Sequence, residues 1–158
     1  MRAKHGQHQR DFLTVGGMGH TSSIALGVAI GQPNRRVVCL DGDGSLIMHM
    51  GAMPVIANFK PKHFFHVLLN NGTHESVGGQ ATSAGLIDFE KLADAVGYAG
   101  YAMASDVTTL TQAWSQLAGK DGPVLLEVKI KNGSRDDLGR PTTAPEQNKF
   151  AFMEAANV

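Results

Sequence analysis

Short apolar runs rich in β-branched or aromatic residues alternate along this chain with stretches of helical character, and that alternation restricts the fold more than any other feature. Strands of a parallel sheet are buried on both faces, so they read as continuous apolar runs rather than as every second residue. The pattern therefore predicts βαβ units in a three-layer α/β fold, with a mainly parallel central sheet and helices on both faces. Strands are expected at Phe12–Val15, Arg36–Leu40, Phe64–Asn70, Tyr98–Ala102 and Val124–Ile130. Helices are expected over Thr21–Ile30, over Ser45–Phe59 with a kink at Pro54, and over Asp88–Val96 and Asp106–Leu117, each of the last two opening on an aspartate cap. A short final helix from Pro145 completes the series. A length of 158 residues suits one domain, and no linker divides it into two globular units.

Charge and cysteine usage narrow the functional classes. Fourteen basic and fourteen acidic residues give a formal net charge of zero, so the overall field gives no reason to expect nucleic acid or an anionic membrane as partner. Small anionic ligands must then be held by local features. The single cysteine, Cys39, sits in the apolar run Val37-Val38-Cys39-Leu40 and cannot form an internal disulfide, which fits a reducing, cytoplasmic setting. The first ten residues lack the apolar core of a secretion signal, and no later stretch approaches the roughly 18 apolar residues of a membrane span, so a soluble protein is expected. Nineteen glycines cluster at a few places without a fixed repeat, and those places are the candidate sites.

One cluster, Asp41-Gly42-Asp43-Gly44-Ser45, follows an expected strand and opens an expected helix. Ligands of open parallel sheets enter at the carboxyl ends of strands, where a helix start offers unpaired N–H groups to phosphate. Gly42 and Gly44 permit close backbone approach, Asp43 offers a hard oxygen suited to magnesium, and Ser45 adds a hydroxyl. The alternative is a tight turn in which Asp43 merely caps the helix. At the end of the next strand, Asn70-Asn71-Gly72-Thr73 places two amides at the same sheet edge, with Asn71 28 positions after Asp43. One helix and one returning strand fill that separation, so a right-handed crossover brings Asp43 and Asn71 side by side. The alternative there is an ordinary Asn-Gly turn. A nucleotide-binding α/β domain that uses Gly42 and Gly44 alone is a further reading.

Taken together, these motifs resemble the thiamine-diphosphate-dependent enzyme family, whose cofactor motif begins Gly-Asp-Gly and ends in paired asparagines nearly thirty residues later. The resemblance implies that Asp43, the Asn71 side chain and the backbone oxygen of Thr73 hold magnesium, which in turn holds the cofactor's diphosphate. It also implies that Gly16-Gly17-Met18-Gly19-His20 embraces the aminopyrimidine: Met18 as the apolar fulcrum of a bent cofactor, the Gly16 carbonyl as acceptor for the 4′-amino group, Gly19 for close approach. The segments Asp11–Gly16, Met48–Gly51, His74–Gln80 and Asp137–Thr143 are similar to the carboxyl-terminal part of the phosphonopyruvate decarboxylase branch, with the sulfopyruvate decarboxylase β-subunit branch next. The implied activity is decarboxylation of a small anionic 2-oxo acid to an aldehyde.

The resemblance covers only the pyrophosphate-type domain. The family's activating glutamate belongs to a pyrimidine domain, so the expectation is that this chain is inactive alone: it is either a truncated piece of a longer enzyme or, as favoured, completed by a separate pyrimidine-domain (alpha-type) subunit, in a homodimer of these domains or a heterotetramer. A noncatalytic cofactor-binding or assembly module is the alternative. Beside the metal loop, His74 and Glu75 are candidate proton donors or polar anchors, as is His20 beside the pyrimidine loop, although ordering of the loop would explain His74 and Glu75 equally well. Arg135 and Arg140 are candidates for clamping the substrate's carboxylate or phosphonate, because a guanidinium fork matches such groups. His49, His63 and His66 are expected to be structural or exposed, and Met48, Met50 and Met53 to pack in the core.

Overall fold

The run Phe64–Asn70 becomes the central strand because both its faces are apolar and six of its seven residues are buried. A computed structural model describes residues 9–134, 136–139 and 141–157. Its elements in chain order are α1 (Thr21–Gly31), β1 (Val37–Gly42), α2 (Asp43–Met48), α3 (Ala52–Phe59), β2 (Phe64–Asn70), the two-residue strands β3 (Thr73–His74) and β4 (Gln80–Ala81), α4 (Phe89–Val96), β5 (Gly100–Ala104), α5 (Val107–Ala118), β6 (Val124–Lys129) and α6 (Pro145–Ala156). The four longer strands form a parallel sheet in the order β1-β2-β6-β5, and β3 pairs antiparallel with β4.

Alternation along β2 and β6 divides the core between two faces. Phe64, Leu68 and Leu125 pack with Cys39 beneath α1, α2, α3 and α4, through Leu26, Leu46, Ile56 and Phe89. Phe65, Val67, Val124 and Leu126 face the other way, onto Ala113, Leu117 and Trp114 of α5. This is the expected three-layer arrangement, with helices on both faces of a parallel sheet. Both aspartate caps form: Asp88 accepts from the Lys91 N–H at 3.0 Å and Asp106 from the Thr109 N–H at 2.8 Å.

Several boundaries differ, each for an identifiable reason. Phe12–Val15 is not a strand: the Leu13 N–H donates to Asn148 Oδ1 at 2.9 Å and the Asp11 carbonyl accepts from Asn148 Nδ2 at 3.2 Å, so a buried side chain of α6 replaces a neighbouring strand. The rings of Phe12 and Phe152, 5.6 Å apart, complete that docking. The helix expected over Ser45–Phe59 is two helices broken at His49–Gly51, and Pro54 causes no kink. It is the third residue of α3, in the first turn, where a missing N–H costs nothing. β5 begins two residues later than expected, because Gly97 ends α4 at φ +91° and the Tyr98 N–H is still bonded to the Ala93 carbonyl. Of the three methionines assigned to the core, Met53 is buried and Met50 half-buried, whereas Met48 is exposed.

The parallel register sets Gly42 level with Leu69, so β1 and β2 end at the same edge of the sheet. Asp43 leaves one strand and Asn71 the other at adjacent points. Truncating the fully buried Leu68 in this centre, as Leu68→Ala, is expected to cost about 2–5 kcal/mol of unfolding free energy, more than Asp106→Ala at an exposed helix start, as read by chemical denaturation.

Candidate cofactor and metal site

Above the shared edge of β1 and β2 lies a cleft of about 390 Å³, lined among others by Met18, Gly42, Asp43, Gly44, Ser45, Asn71, Thr73, His74 and Glu75. Most of the residues picked from sequence are thus brought to one place. His20 is not among the lining residues; its ring lies against that of His49, with centroids 4.3 Å apart. Arg135 and Arg140 fall outside the described residues.

Asp43 does not cap its helix. Gly42 occupies the cap position without a side-chain bond, and the Asp43 carboxylate, only 2% exposed, accepts a hydrogen bond from the Thr82 hydroxyl through Oδ2. A buried carboxylate with so few protein partners is suited to a cation. Gly42 faces open space, as a ligand approaching the backbone requires. At Gly44 the constraint comes from within the chain: an added Cβ would lie 2.5 Å from the His74 ring, so glycine here lets His74 seat against the start of α2.

The glycine loop is tied to the same helix. Gly19, at φ +86°, donates its N–H to Ser45 Oγ at 2.9 Å, and a Cβ there would collide with the His49 ring. Its close approach is therefore to His49 of this chain. Ser45 Oγ accepts that bond and lines the cleft.

In the asparagine pair the two amides divide the work. Asn70 is buried; its Nδ2 donates to Glu127 Oε1 at 2.7 Å and its Oδ1 accepts from the Gly72 N–H at 3.1 Å, closing the turn that presents Asn71. Asn71 is half-buried, with Nδ2 donating to Glu75 Oε2 at 2.8 Å and Oδ1 accepting from the Thr73 N–H at 3.1 Å. The turn anticipated as the alternative reading exists, and it is the same structure that aims Asn71 into the cleft. The other Glu75 oxygen, Oε1, accepts from the Gly133 N–H, and Thr73 Oγ1 donates to Asn132 Oδ1 at 3.0 Å.

Several contributors were not legible in the sequence. Thr82 lies 39 residues after the Asp43 it binds, and Glu127 lies 57 residues after Asn70, so only the folded sheet relates them. Glu127 also accepts from the Tyr101 hydroxyl at 2.5 Å and from Lys129 Nζ at 2.5 Å. Burial pushes its carboxyl up, but the Lys129 ammonium and the Tyr101 and Asn70 bonds outweigh that, so it titrates below the ordinary carboxylate range. Within the sheet, Cys39, Asp41 and His66 form a buried group, in which His66 Nε2 lies 3.4 Å from Asp41 Oδ2 and Nδ1 3.1 Å from the Tyr98 hydroxyl. Burial, reinforced by Asp41, pushes the Cys39 thiol well up.

Residues 1–128 match the family described as thiamine pyrophosphate enzyme, C-terminal TPP binding domain. The chain belongs to that family. It is 38% identical over 145 residues to phosphonopyruvate decarboxylase of Streptomyces hygroscopicus, a match that takes in 92% of this chain and 36% of that protein. It is 39% identical over 127 residues to sulfopyruvate decarboxylase subunit beta of Methanothermobacter thermautotrophicus, covering 80% of this chain and 65% of the relative. Among solved structures, the thiamine diphosphate-dependent 4-hydroxybenzoylformate decarboxylase of Rhodococcus jostii RHA1 superposes with a TM-score of 0.65 at 27% identity, over 76% of this chain and 24% of that one. The chain thus spans about a third of the length of its phosphonopyruvate decarboxylase relative.

The cleft of this TPP-binding domain fits a diphosphate-bearing cofactor on its own chemistry. It combines a buried carboxylate, an amide oxygen and an open glycine backbone. Two of its lining residues, Thr14 and Asp41, carry buried oxygens (Oγ1 and Oδ1) without a hydrogen-bond partner among the described residues. Among the described residues no helix is long and apolar enough to cross a membrane.

The Glu127 network gives a signed prediction. Because its carboxyl is lowered in the folded state, the stability it contributes is present above the unfolded value of about 4.3 and is lost as pH falls through the folded value. Glu127→Gln should therefore be less stable than the unsubstituted protein near pH 7, and the gap should shrink as pH is lowered below about 4, as read by denaturant midpoints at each pH.

Proposed function

We propose that this chain is the thiamine-diphosphate- and magnesium-binding part of a non-oxidative 2-oxo acid decarboxylase that converts phosphonopyruvate to phosphonoacetaldehyde and carbon dioxide. The observation that carries the reading is the convergence of Asp43 and Asn71 at one edge of the sheet, in a cleft two of whose lining residues hold buried oxygens unpartnered among the described residues. The match along 92% of the chain to a phosphonopyruvate decarboxylase supports the substrate. Sulfopyruvate is the second reading, favoured by the 39% identity to a relative that is itself a β subunit. That relative, a β subunit by name, also supports a partner subunit; in this reading the partner is an alpha-type, pyrimidine-domain chain that supplies the activating glutamate, with these domains forming a homodimer or the two chains a heterotetramer, in the cytoplasm.

In this reading Asp43, Asn71 Oδ1 and the Thr73 carbonyl would hold magnesium, which would supply charge neutralisation for the diphosphate. Ser45 Oγ donates to a phosphate oxygen. Met18, about two-fifths exposed at the cleft wall, supplies the apolar support under the cofactor, and Gly16 supplies a carbonyl acceptor. Thiamine diphosphate, once bound, supplies the electron sink that takes up the pair left behind as carbon dioxide departs. His74, half-buried and fixed against Gly44, is placed to hand a proton to the product.

Calorimetric titration tests this directly. Thiamine diphosphate with magnesium is titrated into the chain, alone and with a pyrimidine-domain partner. The expected result is magnesium-dependent binding that tightens with the partner and is lost in Asp43→Ala, together with turnover of phosphonopyruvate faster than of sulfopyruvate. Nucleotide binding that persists in Asn71→Ala, without any thiamine diphosphate binding, is the contrary result.

A further inference from the structure

We infer that Glu75 is a positioning residue that fixes which end of the Asn71 amide faces the metal; the inference rests on the proposed role of Asn71 as a magnesium ligand. An asparagine amide has two ends of nearly equal shape, of which only the oxygen binds a cation, so a metal-ligating asparagine needs something to hold its NH2 on the far side. Glu75 is built for that. Its Oε2 accepts from Asn71 Nδ2 at 2.8 Å, and an ionised carboxylate cannot act as a donor to a flipped amide.

The carboxylate is itself held from outside the metal loop. Its other oxygen, Oε1, accepts from the Gly133 N–H, in the segment that follows β6, and Thr73 Oγ1 binds Asn132 of the same segment at 3.0 Å. The oxygen so directed, Asn71 Oδ1, already accepts from the Thr73 N–H at 3.1 Å and keeps a second lone pair. A flipped amide would set its NH2 against that N–H and its oxygen against Glu75 Oε2. Both Glu75 oxygens thus face donors, so glutamine, of the same shape, leaves one donor facing an NH2 group. Glu75 needs no contact with substrate to act in this way.

The test uses the partner-complemented protein, with thiamine diphosphate binding followed calorimetrically as magnesium is varied. Glu75→Gln is expected to raise the magnesium concentration needed for half-maximal binding about tenfold, while binding at saturating magnesium matches that of the unsubstituted protein. Without metal, hydrogen exchange at the Gly133 amide should accelerate. In an Asn71→Asp background, where either oxygen can face the metal and two carboxylates meet in place of the amide–carboxylate bond, Glu75→Gln should lower the magnesium requirement instead of raising it. An unchanged magnesium requirement in Glu75→Gln, a loss that saturating magnesium does not recover, or an equal rise in the Asn71→Asp background overturns the assignment. Failure of the unsubstituted protein to bind cofactor at any magnesium level instead removes Asn71 as a ligand, which is a failure of the proposed function itself.

Discussion

Parallel pairing of β1 with β2, which sets Gly42 beside Leu69, is the constraint on which the rest of the site depends. A carboxylate and an amide 28 residues apart become neighbours only because the crossover through α2 and α3 returns the chain in register on the adjacent strand. A slip of one residue would turn every side chain of β2 to the opposite face, exchanging Phe64 and Leu68 for Phe65 and Val67 against the helices. The two apolar half-cores fix the register, and the register fixes the site.

Polar side chains then finish what the apolar core begins. Buried carboxylates are costly unless their lone pairs are engaged, and here Glu127 is surrounded by donors from three strands: Asn70, Tyr101 and Lys129. That network holds the first asparagine so firmly that the second is presented at a defined point. Asp41 and His66 form a second buried pair, with the Tyr98 hydroxyl on the other ring nitrogen, but there Asp41 Oδ1 has no partner among the described residues. The cofactor edge thus stands on polar contacts within the sheet as well as on apolar packing.

Much of this was legible in the sequence, for reasons of period and local chemistry. Continuous apolar runs gave four of the five expected strands, β2 to the residue, and the aspartate caps marked the starts of α4 and α5. The meeting of Asp43 and Asn71 at one sheet edge was legible because Gly-Asp-Gly and Asn-Asn each carry their geometry within a few residues. What escaped was either tertiary or local competition between equal signals. Phe12–Val15 has a strand's composition but meets an asparagine side chain in place of a strand, and Pro54 falls where a helix begins rather than where one bends. Thr82, Glu127 and Gly133 act on the site from 39, 57 and 58 residues away, at positions with no sequence mark. Glu75 was visible as a polar neighbour of the metal loop, but only its two engaged oxygens reveal that it supports Asn71.

The central claim is that one metal ion joins the ends of β1 and β2 and holds the diphosphate between them. A crystal structure of the chain with its pyrimidine-domain partner, grown with magnesium and thiamine diphosphate, tests it most directly. The account predicts a metal bonded to an Asp43 oxygen, Asn71 Oδ1 and the Thr73 carbonyl, with diphosphate oxygens completing an octahedron at about 2.0–2.1 Å. Diphosphate bound with no metal at these three residues, or a cofactor seated away from the cleft, would contradict it.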